Sequence, residues 1–233
     1  MENYWINLIL LSDATFGRGE GVAGVVDQEV DYDGDGVPYL HGKTLKGLLN
    51  EECANLLYAL HLQSSDVARW EAAAQRLLGS PGSRLAADAH MRVGPARLPA
   101  DLRRALHQEI LARRLTSADV LATLTTIRRQ TAVDETTGAP DTGTLRALRV
   151  ILRQTHFTAP VTFPYGAHPD DVTLLSACVL ALRRAGIGRN RGRGRLCATL
   201  HADAHGAPGE DITRAQLAHF AHIITAHASE VAQ

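Results

Sequence analysis

Apolar and polar positions divide the chain into short blocks with different periods. Tyr4–Leu11 is short, apolar and rich in β-formers, and predicts a first strand. Gly17, Gly19, Gly21 and Gly24 then punctuate a loop. Leu45, Leu48, Leu49, Ala54, Leu56, Leu57 and Leu60 recur at roughly helical spacing and predict a helix over Thr44–Leu60. Trp70–Leu78 predicts a second helix, closed by Gly79–Ser83. Alternating Ala87, Ala89 and Met91 suggest a strand over Leu85–Val93. Pro99–Arg114 predicts a helix with Pro99 near its first turn. Ser117–Thr126 fits helix or strand, and periodicity does not choose.

Further along, Asp134–Gly143 is turn chemistry and predicts an exposed tip. Leu145–Phe163 reads as one extended stretch. Pro169–Arg184 predicts a helix with Asp170 and Asp171 complementing the dipole of its first turn. Arg195–His201 predicts a short strand, and Asp211–Glu230 a closing amphipathic helix. This order predicts an α+β fold, one antiparallel sheet covered by helices, with a split-βαβ, ferredoxin-like core.

Composition narrows the class. The chain has 233 residues, 45% hydrophobic and 21% charged, which suits an ordinary globular protein. No apolar run reaches membrane-spanning length, and Ile6–Leu11 lacks the features of a signal peptide. Cys53, Cys178 and Cys197 are far apart and form no zinc or disulfide pattern, so a reducing, cytoplasmic setting is expected. A net charge of −1 argues against coating nucleic acid with the whole surface. The charge is segregated, however. Arg189, Arg191, Arg193 and Arg195 fall within seven residues, and five acids fall between Asp27 and Asp35.

Four motifs bear on chemistry. Asp31, Asp33, Asp35 and Gly36 match the first half of a calcium loop, but its last position is Gly42 and not the glutamate such a loop needs. A polar turn is the better reading. Gly42-Lys43-Thr44 resembles the end of a phosphate-binding loop, yet Val37 stands where its first glycine belongs. A glycine, a hydroxyl and free amides at a helix start still favour an anion. Gly186–Leu196 alternates glycines, which allow close backbone approach, with arginines, which offer forked donors to phosphate. His219 and His222 form an i,i+3 pair with His227 further along, but no cysteine or acid joins them, and surface histidines are the reading. Asp27 is a polar loop residue or, at best, a general base or metal ligand.

Three segments together resemble the RAMP superfamily of CRISPR-associated proteins. "DGDGVPYLHGKTLKGLL" is similar to the superfamily's "D…G.PYIPGSSLKG" signature, with His41 in place of proline and Lys43 in place of serine. "GIGRNRGRGRL" is similar to its C-terminal glycine-rich loop, and "TTIRRQTAVDETTGAPDTGTLRALRVI" to the thumb-like arm between them. Within the superfamily the small backbone subunit of type III effector complexes is the nearest likeness. The resemblance implies one RAMP domain over residues 1–233, with an RRM-like core, a helical insertion at about 62–116 and a protruding arm at about 125–160. It implies a subunit that stacks head to tail along a CRISPR RNA, beside other effector subunits, and presents it to a complementary target RNA. "VVDQEV" stands where the family has a segment like "AIDSPV", with Glu29 in place of its proline, and puts the family's cleavage aspartate at Asp27, with Mg2+ or Mn2+ as cofactor.

Physical roles for the other residues accompany that resemblance. RNA is cut when a 2′-hydroxyl attacks the adjacent phosphate in line, which a stacked A-form helix forbids and a splayed nucleotide permits. Arg128, Arg129, Thr131 and Val133 belong to an arm suited to wedge between bases. Lys43, Thr44, Lys46, Arg189, Arg191, Arg193 and Arg195 are expected to grip the guide backbone, since phosphate contacts position rather than specify. Three rival readings stand beside this one: a non-cleaving RNA scaffold, a metal-independent guide-processing endoribonuclease using His41, and a nucleotide-binding enzyme using Gly42-Lys43-Thr44.

Overall fold

Strand β1 (Glu2–Leu10) forms where side chains alternate across a sheet: Ile6, Leu8 and Leu10 are buried, while Trp5, Asn7 and Ile9 stay half-exposed on the other face. In this computed structural model the described residues are 1–63, 67–79, 89–132, 136–139 and 143–231, with side chains described to Ala226. β1 lies at the centre of a five-stranded sheet. It pairs antiparallel with β5 (His156–Phe163) on one side and β6 (Leu196–Asp203) on the other. β2 (Arg92–Val93) pairs with β5, and β7 (Pro208–Asp211) with β6, giving the order β2-β5-β1-β6-β7.

Helix α1 (Gly42–Leu62) joins β1 to β2, and α5 (Pro169–Ala181) joins β5 to β6. Each connection crosses over one intervening strand. This is the split-βαβ arrangement, so the α+β, ferredoxin-like expectation holds for the core. Leu45, Leu49, Cys53 and Leu60 of α1 bury one helical stripe against the apolar side of the sheet.

The helix α5 is buried along its whole middle, Val172 to Val179. Its start is fixed by Pro169 in the first turn and by a capping box between His168 and Asp171. Asp170 and Asp171 also accept from Arg69 (2.6 and 2.9 Å) and Arg76 (2.8 Å), which docks α2 (Val67–Leu78) onto it. The hydrogen bonds from Arg69 hold the Asp170 carboxyl below the usual carboxylate range, against burial. Trp70 of α2 reaches past to stack edge-on with Phe220 of α6 (Thr213–Val231).

The remaining elements build the insertion and the arm. α3 (Ala100–Leu111) starts just after Pro99. The undecided segment is both things in turn: α4 (Ser117–Leu124), capped by Thr116 and Asp119, runs straight into strand β3 (Thr125–Gln130). β3 pairs with β4 (Arg146–Ile151) as a separate two-stranded hairpin, which is the arm.

Three sequence expectations are corrected. Leu145–Phe163 is two strands and not one, because the chain turns through Gln154 (φ 68°), whose amide bonds to Leu10. The arm therefore ends at Ile151 and not near 160, and β5 belongs to the core sheet. Of the strand expected over Leu85–Val93, residues 89–91 are not strand and Arg92–Val93 are, while residues 80–88 lie outside the described ones. The closing helix starts at Thr213, after strand β7, which the pattern did not announce. Among the described residues no helix is long and apolar enough to cross a membrane.

Candidate nucleic-acid interface

The loops that carry Asp27 and the arginines of 189–195 converge at one end of the sheet, where β1 finishes and β6 begins, since Leu10 faces Leu196. The glycine-punctuated loop after β1 runs between the arm and the arginine loop and is tied to both. Ala14 exchanges backbone hydrogen bonds with Ile151 of β4, and the Thr15 hydroxyl donates to the Arg149 carbonyl at 2.9 Å. On the other side Thr15 accepts from the Ile187 amide at 2.9 Å, and Asp13 accepts from the Gly194 amide at 2.9 Å. A buried ion pair, Glu29 with Arg149 at 2.8 Å, fastens the loop to β4. Glu29 is the residue that stands where the family has proline.

Asp27 sits at the root of the arm. Its amide donates to the Ala147 carbonyl (2.8 Å), and its Oδ2 accepts from the Ala147 amide (2.6 Å). The residue is exposed, and this pair of bonds leaves Oδ1 available. Asp27 lines a cavity of about 700 Å³ together with Arg146, Arg189, Arg191 and Arg193. The sequence places Asp27 more than a hundred residues from these arginines, and the fold brings them to one rim.

The arginine loop is held by its glycines. Gly186, Gly188, Gly192 and Gly194 all have positive φ, and a Cβ on Gly194 would lie 1.9 Å from the Ala185 carbonyl oxygen. Its arginines differ in what they do. Arg189 forms a two-pronged ion pair with Glu51 of α1 (2.9 and 3.1 Å). Arg191 is exposed and Arg193 half-buried, both facing the cavity. Arg195 is exposed and lines a separate hollow with Arg183 and Arg184.

On the arm, Arg128 bonds to Asp13 through Nε and Nη2 (3.1 and 3.0 Å) and borders a second cavity that Arg153 and Arg193 also line. Arg129 is exposed on the alternate face of β3. Thr131 bonds Thr144 across the hairpin at 2.8 Å. Val133 lies outside the described residues.

The Lys43, Thr44 and Lys46 group is placed elsewhere. Lys43 and Thr44 are exposed on the first turn of α1 and line neither cavity. Lys46 donates to the Met91 carbonyl at 3.1 Å beside β2, and burial lowers its pKa.

The acidic triplet is the polar turn that was expected. Asp33 Oδ1 accepts from the amides of Asp35 and Val37, and Gly36 takes positive φ. The three carboxylates pair outward with three different partners: Asp31 with His41, Asp33 with Arg97 and Asp35 with His107. They do not converge on an ion. His219 and His222 are exposed, and the side chain of His227 is outside the described set. Among the described residues no three His, Cys, Asp or Glu side chains cluster as a metal site.

Sequence reasoning missed Arg146, Gln28, Gln130 and Asn190 of the Asp27 cavity. No sequence signal marked Arg146, which immediately precedes the residue that holds Asp27.

No protein-family model and no curated protein matches the sequence. Solved structures do match. A chain of the type III-B Cmr-beta complex bound to cognate target RNA, determined by cryo-EM, superposes with a TM-score of 0.59 at 12% identity, over 86% of this chain and 97% of that one. A chain of the same complex in its apo state gives 0.57 at 12% identity, over 85% and 97%. What these comparisons share with the chain is its fold.

Proposed function

We propose that this chain is a guide-RNA-binding backbone subunit of a type III CRISPR interference complex, and that Asp27 supports divalent-metal-dependent cleavage of the complementary target RNA. The observation that carries the reading is the meeting of Asp27 with Arg146, Arg191 and Arg193 in one cavity at the root of the arm. The fold shared with chains of a complex described as bound to target RNA supports it.

In this reading Arg191 and Arg193 neutralise consecutive phosphates, and the tightly folded glycine backbone lets the strand approach closely. Lys43, Thr44 and Lys46 extend the grip along α1, while Arg129 and Thr131 act from the arm. The arm keeps one nucleotide out of the stack, which makes in-line attack of its 2′-hydroxyl possible. Asp27 Oδ1 faces the scissile phosphate, and Arg146 stabilises the charge that develops on it. Asp27 Oδ1, on the carboxylate that lines this cavity, would hold Mg2+ or Mn2+ together with phosphate oxygens and water, and the ion would supply charge neutralisation and a more acidic water. Copies of the chain stack head to tail along the guide, next to other effector subunits.

A second reading, a scaffold that binds RNA without cutting, is favoured by one specific contact. The Asp27–Ala147 hydrogen bonds fasten loop to arm and give Asp27 a structural task of its own. Cleavage by assembled complexes separates the two. Asp27→Asn should retain RNA binding and lose roughly 10²–10⁴-fold in metal-dependent cutting of complementary RNA. Wild-type cutting by that variant leaves the scaffold reading. Absence of RNA from the wild-type complex defeats both.

A further inference from the structure

The second face of the five-stranded sheet, away from α1 and α5, carries a groove that the RNA reading does not use. Across it the register sets Pro160, Trp5 and His201 side by side on β5, β1 and β6, followed by Thr158, Asn7 and Thr199. A cavity of about 720 Å³ opens over these rows, walled by the first turn of α3 on one side and by Gly206–Pro208 on the other.

The charges on its rim are uneven. Arg97, Arg103 and Arg104 face Asp101 and Asp211. Asp211 is already engaged, accepting from the amide and hydroxyl of Thr213 at 2.9 and 2.6 Å. Arg103 uses Nε on the Leu98 carbonyl and keeps its terminal nitrogens. Arg104 is exposed and has no partner among the described residues. Arg97 is divided between Asp33 and the Tyr39 ring. The floor is mainly apolar, with Trp5 at its centre, its indole fixed by a 2.7 Å bond to Asp203. Asn7, in the middle of the floor, has a buried side-chain oxygen with no hydrogen-bond partner among the described residues.

We infer that this groove docks an acidic, apolar-bearing peptide segment of a partner protein. A tryptophan floor with arginines along one wall has the residue types of a protein-binding hot spot. Single-stranded RNA suits the face less well. Aromatic rings do lie on three strands, His156, Trp5 and His201, but the rim mixes Asp101 and Asp211 with its arginines, which a polyanion meets less well than a peptide of spaced acids does. The rim arginines orient the segment through its acids, and the floor takes its apolar side chains.

Two short labelled peptides test this on the full chain: one with glutamates spaced between leucines, and the same peptide with lysines in place of the glutamates. Binding is read by peptide anisotropy. It is read also by emission of Trp5 in a Trp70→Phe background, since the chain has two tryptophans and Trp70 is buried. The glutamate peptide should bind, shift Trp5 emission and outcompete the lysine peptide by about tenfold or more, and Arg103→Glu with Arg104→Glu should reverse that preference. If the Trp70→Phe chain does not fold, anisotropy with the charge-reversed variant decides alone. Failure of the glutamate peptide to bind, an unchanged preference after charge reversal, or displacement of the peptide by oligouridylate overturns the proposal. None of these outcomes depends on Asp27 or the arginine loop.

Discussion

Gly42–Gly47 and Gly186–Arg195 look alike on paper, each glycine-punctuated and basic, and they differ in what holds them. The first is packed down. A Cβ on Gly42 would lie 2.2 Å from the Val93 carbonyl oxygen, and Lys46 reaches Met91, so much of this segment anchors α1 to β2. The second is folded onto itself and onto Thr15 and Asp13 through backbone bonds, which leaves the Arg191 and Arg193 side chains to face a cavity. Glycine in the first segment makes room for a neighbouring strand, and in the second it creates left-handed turns that present charge. The same contrast separates arginines committed to carboxylates, such as Arg149, Arg189 and Arg128, from those facing open space.

The largest expected effect comes from the most committed arginine. Arg149→Ala leaves Glu29 buried without its partner and should cost about 3–5 kcal/mol in denaturant unfolding. A loss near that of a surface substitution would erase the distinction between committed and free arginines.

Next is the loop backbone. Gly194→Ala should cost at least about 1–3 kcal/mol for its positive φ, with a further clash on Ala185, and should weaken RNA binding with it. Gly192→Ala meets nothing within 4 Å and should show the strain alone. Equal losses at the two positions would show that the close packing at Gly194 is not what shapes the loop.

The charges come third. Arg191→Ala with Arg193→Ala should lower RNA affinity and flatten its salt dependence by roughly 0.7 per lost phosphate contact, with stability unchanged within about 0.5 kcal/mol. Lys43→Ala with Lys46→Ala should flatten the slope less and reduce stability through the lost Met91 contact. An equal slope change from the two pairs would remove the contrast between the segments.

The smallest effect is in acid. Asp170 has its pKa lowered by Arg69, so its contribution is present above the ordinary aspartate value of about 3.9 and is lost as pH falls through the lowered folded value. Asp170→Asn should lose stability at neutral pH and show a shallower decline below pH of about 4 in thermal melts. A mutant whose acid decline matches wild type would show that the Arg69 pair is not what acid breaks.

Much of the core was readable from the chain, because its signals are local. The helical spacing of Leu45, Leu48, Leu49, Leu56, Leu57 and Leu60 gives α1, and the short apolar, β-rich run Tyr4–Leu11 gives β1. The break at Gln154 was hidden because it depends on pairing with the distant Leu10, and the short strand β7 because its hairpin with β6 is irregular and polar, with a register shift between His201 and Asp203. Asp27 was named through the family likeness and not through periodicity, and its partner Ala147 is silent in sequence because the contact is a backbone amide. Arg146 was missed for the same reason. Arg128, chosen as a wedge or phosphate contact, has Asp13 as its partner, a pairing between residues 115 apart.

The central claim is that RNA passes through the cavity shared by Asp27 and the arginine loop. Photocrosslinking of 4-thiouridine-containing guide and target RNA in the assembled complex, with the attachment sites mapped by peptide mass spectrometry, tests it most directly. The account predicts adducts on the peptides carrying Gln28, Gln130 and Arg191–Arg193. Adducts confined to the open sheet face around Trp5 and His201, with none on the cavity peptides, would contradict it.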